Sequence, residues 1–318
     1  MIDVGCAGIL VADTFCGPMK RIPSEGELLL IDQMPSKAGG CAANVAIDLA
    51  KQGFVTETCG CVGADSSAEV LLGSLRAAGV GCEQIQGLES HPTSKTVILL
   101  VEGQDRRYIH LFGANAAFQV KQIRLDWIDR LKVFYLGGLF ILPAIRHDEM
   151  ADLLNYCRQR GIVTVVDVVV PLGYSGMDAI LPLLPHIDYF LPNDDEAQRL
   201  TGFPDTDHQL EAFLRQGART VVVTCGHKGS QAACGGKRWQ ADAYQVLSID
   251  PSGAGDAFAA GVVSGVLRRW DMSRTLSYAA ALGASATTAI GTTDGVFNSA
   301  QAEAFIAANL LKIRCSEA

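Results

Sequence analysis

Asp250-Pro251-Ser252-Gly253-Ala254-Gly255-Asp256 runs directly into the apolar stretch AFAAGVVSGVL, residues 257–267. Its small residues let the backbone approach a ligand closely. The amides of Gly253, Ala254 and Gly255 fall at a predicted helix start, where unpaired N–H groups favour an anion such as a phosphoryl group. Asp256 sits in the first turn, where the helix dipole tends to keep it ionised. It is a weak base, yet sufficient for a transfer that depends mainly on positioning and charge stabilisation. Read alone, the same stretch is also an ordinary helix start, with Asp250 or Ser252 as the cap and the glycines in a tight turn.

Upstream, short β-branched or apolar runs at residues 2–10, 55–62, 132–136, 162–170, 187–190 and 220–224 alternate with helical patterns at 41–51, 67–77, 143–160, 193–201 and 208–216. Such alternation predicts an α/β protein with a mostly parallel sheet and crossover helices on both faces. Most of these helices stop at a glycine, Gly53, Gly79, Gly161, Gly202 or Gly217, as left-handed C-caps do. Further helices, rich in small residues, are predicted at 254–267, 273–289 and 299–310. Residues 13–35 and 93–112 break the rhythm. There 96–101, Gly103 and 107–111 read as a hairpin, so a small separate β layer is expected, suited to a lid over a ligand crevice.

A length of 318 residues, 49% hydrophobic and 19% charged, suits one large α/β core with an appendage, or two domains, rather than a disordered or fibrous chain. The net charge of −8 offers no general basic face for nucleic acid or an anionic membrane. The apolar runs are too short or interrupted to cross a bilayer, and MIDVGCAGIL lacks the basic start of a signal peptide, so a cytoplasmic location is expected. The 10 cysteines form no CxxC pairs and read as reduced, packed thiols. His110, His147, His186 and His227 show no metal or triad spacing, and none is assigned a catalytic role.

A second Gly-rich helix start, Ala38-Gly39-Gly40-Cys41-Ala42-Ala43-Asn44-Val45-Ala46, places free amides and the Asn44 side chain on a first helical turn, where polyol hydroxyls fit. This segment and the Gly-Ala-Gly turn together resemble the paired signatures of the ribokinase, or PfkB, family of carbohydrate and nucleoside kinases. Those signatures are a Gly-Gly-x-x-x-Asn helix near the N-terminus and an Asp-Thr-x-Gly-Ala-Gly-Asp turn near the C-terminus. Order and separation match, and the resemblance spans nearly the whole chain. It implies a ribokinase-like three-layer α/β/α fold with a mostly parallel central sheet and a small β-stranded lid. The core then takes residues 1–12, 36–92 and 113–318, and the lid 13–35 and 93–112. It further implies an ATP-dependent phosphotransferase that moves the γ-phosphate to a hydroxyl of a sugar or sugar-like substrate, with Mg2+ as cofactor.

By the same resemblance Asp256 receives the hydroxyl proton, and Gly253, Ala254 and Gly255 form the anion hole. Asp13, with Gly39, Gly40 and Asn44, meets sugar hydroxyls; apart from the resemblance, Asp13 is equally a turn residue at a strand end. Asn193 and Glu196 match an Asn-x-x-Glu motif that organises Mg2+, Glu196 through water, and they also spell a capping box. Thr224, Gly226 and Gly229 shape the nucleotide side, while Ala281, Gly283 and Ala284 flank adenine or simply pack. Asp250 and Ser252 approximate a monovalent-cation loop, with potassium the implied ion. Of the arginines in Asp105-Arg106-Arg107-Tyr108, strand alternation lets at most one reach the cleft, and Arg107 is assigned to substrate.

Three departures keep the label broad. Pro251 stands where the family often has threonine, Cys41 where ribokinases proper have lysine, and Asp167-Val168-Val169-Val170-Pro171 lacks the arginine of several ketose and keto-acid kinases. A nucleoside kinase of the same fold is the alternative, with Phe15, Tyr108 or Phe112 available for stacking. A silent sugar- or nucleotide-binding regulator is opposed by the intact Asp256. A dinucleotide enzyme is opposed by Gly5-Cys6-Ala7-Gly8, which has the wrong spacing. Exposed lid edges suggest a homodimer.

Overall fold

The computed structural model describes residues 1–104 and 106–317; Asp105 and Ala318 lie outside the described residues. The chain runs β1 (Ile2–Gly8), β2 (Val11–Met19), β3 (Ser36–Gly39), α1 (Cys41–Lys51), β4 (Thr56–Gly63), α2 (Ser66–Ala77), β5 (Gly81–Leu88), β6 (Lys95–Val101), β7 (Arg107–Leu111), α3 (Leu125–Ile128), β8 (Leu131–Gly137) and α4 (His147–Gln159). It continues through β9 (Val163–Val166), β10 (Tyr189–Phe190), α5 (Asp194–Thr201), α6 (Thr206–Arg215), β11 (Thr220–Thr224), β12 (Ser230–Cys234), β13 (Lys237–Ala241), α7 (Ala254–Arg268), α8 (Met272–Ala286), α9 (Ser299–Ala308) and β14 (Ile313–Glu317).

Among the described residues one sheet has the order β14-β13-β12-β11-β10-β9-β8-β1-β4-β5. From β11 to β5 every neighbouring pair is parallel, and β12 to β14 add an antiparallel margin. Continuous runs such as Thr-Val-Val-Val-Thr in β11 are what a sheet covered on both faces demands. Alternation along β8 shows the covering: Val133 and Tyr135 pack into a core with α1, α2, α7 and α8, while Phe134 and Leu136 pack into another with α3 to α6. The result is the expected three-layer α/β/α arrangement with a mostly parallel central sheet.

The small sheet has the order β3-β2-β6-β7, with β2 parallel to β6 and the other pairs antiparallel. It takes in β3, residues expected from sequence to belong to the core, because β3 turns back along β2 before the chain enters α1. Its outer face carries Cys16, Met19 and Val101, covered by Leu29 and Ile31 from the irregular segment after β2. Two strands are shorter than the runs suggested: β9 ends at Val166, which releases Asp167, and β10 spans only Tyr189–Phe190. No helix among the described residues is long and apolar enough to cross a membrane.

Candidate active site

The crevice lies at the carboxyl ends of the parallel strands. On either side of β1 the order runs outward to β4 and to β8, the place where open α/β sheets bind ligands. Gly8 and Gly137 end neighbouring strands here. A side chain on Gly8 would collide with the Gly137 carbonyl, and a Cβ on Gly137 would lie 2.7 Å from Cys41 Cβ, so glycine at Gly137 lets the first turn of α1 settle on the sheet edge.

Asn44, in that first turn, donates from Nδ2 to Asp256 Oδ2 at 2.7 Å, and its Oδ1 accepts the Thr292 hydroxyl at 2.8 Å. Two segments 212 residues apart thus meet side chain to side chain. Burial pushes the Asp256 carboxyl up, opposed by hydrogen bonds from Asn44 and the Cys41 thiol. The dipole expectation is therefore overridden by desolvation, which makes Asp256 a stronger base than the sequence suggested. Gly253 caps α7 with φ 78, and a side chain there would collide with the Thr292 carbonyl. Gly255 faces open space.

Asp13, on β2, occupies the space that a Gly39 side chain would need. Its carboxyl is pushed up to about 6, chiefly by burial and further by the negative charges of Asp256 and Asp250, while the Thr96 hydroxyl draws it down. Gly40 precedes α1 with φ 88. Asp13, Gly39, Gly40, Asn44 and the start of α7 therefore lie beside one another.

Asp167 follows β9. Its Oδ2 accepts the Tyr135 hydroxyl at 3.0 Å and its Oδ1 accepts the Val168 N–H at 2.8 Å. Burial, then the charges of Glu196 and Asp256, drive its carboxyl far above the usual carboxylate range. Atoms of Cys41, Asp167 and Asp256 lie within 4.8 Å of one another. Burial and the two neighbouring carboxylates hold the Cys41 thiol protonated. A hard ion such as Mg2+ suits the two carboxylates and not the thiol. By sequence, Asp167 stands out only for the arginine missing after it.

Asn193 and Glu196 form a reciprocal capping box: Asn193 Oδ1 accepts the Glu196 N–H at 2.8 Å and Glu196 Oε2 accepts the Asn193 N–H at 3.0 Å. Glu196 Oε1 also accepts the Val170 N–H at 3.3 Å. With both oxygens engaged by backbone, a water-mediated path to a metal fits better than direct ligation. Burial raises this carboxyl to about 7. Asp250 accepts the N–H groups of Ser252 at 3.0 Å and Gly291 at 3.1 Å, one on each oxygen, while the buried Ser252 Oγ has no partner among the described residues. An orphaned oxygen in that loop fits a monovalent cation.

A cavity of about 380 Å³ adjoins the start of α7, lined among others by Thr224, Gly226, Gly229, Gly255, Gly283 and Ala284. Ala281 does not reach it. That residue is fully buried, and Ala280 takes the lining position because 280, 283, 284 and 287 share one helical face. Tyr244, on the loop after β13, also lines the cavity and carried no motif in the sequence. Arg107 is likewise corrected. It pairs with Leu99, on the face opposite Asp13, and donates to Gln104 Oε1 at 2.7 Å. Tyr108 and His110 take the Asp13 face instead, through Ile98 and Thr96.

A nucleotide-sized cavity, an amide-bearing helix start and a buried carboxylate held by Asn44 beside Asp13 suit a phosphotransferase class of site. The sequence profile of the pfkB family carbohydrate kinases matches residues 1–298, and the chain belongs to that family: it is a carbohydrate kinase. It is similar to a ribokinase of Arabidopsis thaliana, 28% identical over 279 residues, 83% of this chain and 70% of that protein. It is also similar to an ATP-dependent 6-phosphofructokinase of Thermoanaerobacterium thermosaccharolyticum, 23% identical over 253 residues, 77% of each. Among solved structures, a putative ribokinase II from E. coli in complex with ATP and Mg2+ superposes with a TM-score of 0.84 at 20% identity, covering 97% of this chain and all of that one (100%). The Arabidopsis thaliana ribokinase complexed with ribose and ATP gives 0.81 at 23% identity, covering 96% and 98%. Both share the fold.

Proposed function

We propose that this carbohydrate kinase transfers the γ-phosphate of ATP to a hydroxyl of a sugar-like acceptor held between the small sheet and α1, with Asp256 as the base. The hydrogen bond between Asn44 and Asp256 carries the reading, because it joins the acceptor recess to the phosphate end of the cavity. Asp13, Asn44 and the Gly39–Gly40 backbone hold the acceptor so that one hydroxyl faces Asp256. As that oxygen bonds to the γ-phosphorus, the bond to the β–γ bridging oxygen breaks and ADP leaves with it, while the hydroxyl proton passes to Asp256, whose raised affinity suits it to the task. The N–H groups of Gly253, Ala254 and Gly255 face the charge gathering on the transferring group. Mg2+, when bound, neutralises phosphate charge, and Asp167 with the water-linked Glu196 is the set that would hold it. Thr224, Gly226, Gly229, Ala280, Gly283 and Ala284 contain the nucleotide. Ser252 and Asp250 take a potassium ion.

The small sheet, residues 13–35 and 93–112 with β3, acts as the lid. Its outer strand leaves Ile109 64% and Leu111 49% exposed, which favours a homodimer through this sheet, testable by light scattering after size-exclusion chromatography. A nucleoside acceptor is the second reading, favoured by Tyr108 on the face that carries Asp13, with Phe112 packed edge to face on His110; Phe15 is fully buried and unavailable for it. The test is acceptor-dependent ADP release across pentoses, hexoses, sugar acids, sugar phosphates and nucleosides, with and without potassium. Release with a sugar class supports the main reading, release with nucleosides alone selects the second, and release with none rejects both.

A further inference from the structure

His110 received no role from the sequence, yet the strand registers carry it to the acceptor face. Pairing of β2 with β6 sets Asp13 opposite Thr96, and pairing of β6 with β7 sets Thr96 opposite His110, so the three side chains form one row. Thr96 is the neighbouring hydroxyl that draws the Asp13 carboxyl down, and its Oγ1 lies 3.1 Å from His110 Nδ1. A hydroxyl has a single proton to give. A relay through Thr96 requires this proton to face the carboxylate and the imidazole to donate in the second bond, as the Nδ1–H tautomer. The ring is steadied edge to face by Phe112, 5.1 Å away between centroids. Asp13 is only 5% exposed and Thr96 8%, whereas His110 stands at the exposed edge of the sheet. Two strand spacings, roughly 9–10 Å, separate His110 from Asp13, too far for both to hold one hydroxyl.

We infer that His110 is a positioning residue: through Thr96 it holds the Asp13 carboxylate in the orientation that receives the acceptor, so that acceptor binding depends on β7 being in place. This rests on the reading that Asp13 binds the acceptor. The relay explains why a buried carboxylate on β2 is served by a hydroxyl that is itself served from the sheet's outermost strand. Displacing β7 removes the donor to Thr96 and frees its hydroxyl to turn away from Asp13. The lid thereby reports its own closure to the acceptor site without contacting the acceptor there.

Two measurements test it. Nitrogen-15 NMR of the histidine rings in the whole protein should show His110 as the Nδ1–H tautomer, the form a free histidine disfavours, and should show that preference lost in Thr96→Val. An Nε2–H tautomer in the unmodified protein overturns the inference. Steady-state kinetics then use the fastest acceptor among D-ribose, D-fructose and fructose 6-phosphate. His110→Ala should raise acceptor KM about 5–10-fold with kcat and ATP KM within about twofold, the loss of one hydrogen bond. His110→Asn, which places an amide donor near the lost Nδ1, should recover most of the loss, and Thr96→Val with His110→Ala should be no worse than Thr96→Val. An unchanged acceptor KM in His110→Ala, or an asparagine variant as impaired as the alanine one, refutes the relay. If Asp13→Ala raises acceptor KM while His110→Ala does not, the relay fails and the role of Asp13 stands. An Asp13→Ala enzyme with normal acceptor KM removes both.

Discussion

Asp256 and Asp13 lie close enough to feel each other's charge but rest on different supports. Asp256 lies at the start of a 15-residue helix packed against α1 and α8, and a side-chain amide from the core holds it. Asp13 lies on a four-stranded sheet whose last strand, β7, is exposed along its whole length. Burial raises both carboxyls, but only Asp256 is fixed by groups that cannot leave without disturbing the main core. With the roles proposed above, the contrast becomes a division of labour: the base sits on the stiff scaffold, and recognition sits where local opening is cheap.

Removing each acid separately should break the comparison most sharply. Asp256→Asn keeps shape and the Asn44 contact but removes the base, so kcat should fall by about 10³-fold with ATP KM near normal. Near-normal turnover would show that the helix start does not carry the chemistry. Asp13→Ala should instead raise acceptor KM by about 10–100-fold with a smaller effect on kcat, as expected for loss of charged hydrogen bonds to bound hydroxyls. If ATP affinity falls instead, the two regions do not divide the work.

pH separates stability from activity. Asp13, Glu196, Asp167 and Asp256 all have folded values above their unfolded ones. Their stabilising contribution is complete below the unfolded carboxylate range and is lost as pH rises through the folded values, about 6 for Asp13 and about 7 for Glu196. The unliganded protein should therefore melt a few degrees higher near pH 5.5 than near pH 8, roughly 2–4 °C. Acceptor kcat/KM should move the other way and fall below about pH 6 as Asp13 protonates. A melting temperature that stays level or rises from pH 5.5 to pH 8 would mean these acids are not desolvated as described. The smallest effect belongs to the nucleotide wall. Ala284→Leu should raise ATP KM about 10-fold by filling the cavity, whereas Ala281→Ser should leave it unchanged.

Much of the framework was legible locally. Residues 41–51 and 220–224 carry their period and bounds in the sequence, and Asn193 with Glu196 spells the capping box that the structure contains. The antiparallel margin was less legible. Gly235-Gly236 is a hairpin signal between β12 and β13, but the flanking residues are short and polar, so no alternation drew attention to them. β14 has four exposed residues in five and no apolar pattern to read. Ala281 and Arg107 failed for a shared reason. Motif proximity located the right helix and strand, but one residue of phase decides which face a side chain takes.

Two glycine-rich helix starts and an alternation of strand and helix were readable in the chain itself, because backbone conformation and hydrophobic period are written in neighbouring residues. It took the folded molecule to establish that Asn44 reaches Asp256, that Asp167 closes on Asp256 and Cys41, and that Thr96 and His110 stand in a row with Asp13. Those meetings depend on strand register and on burial, which are properties of segments brought together from across the chain.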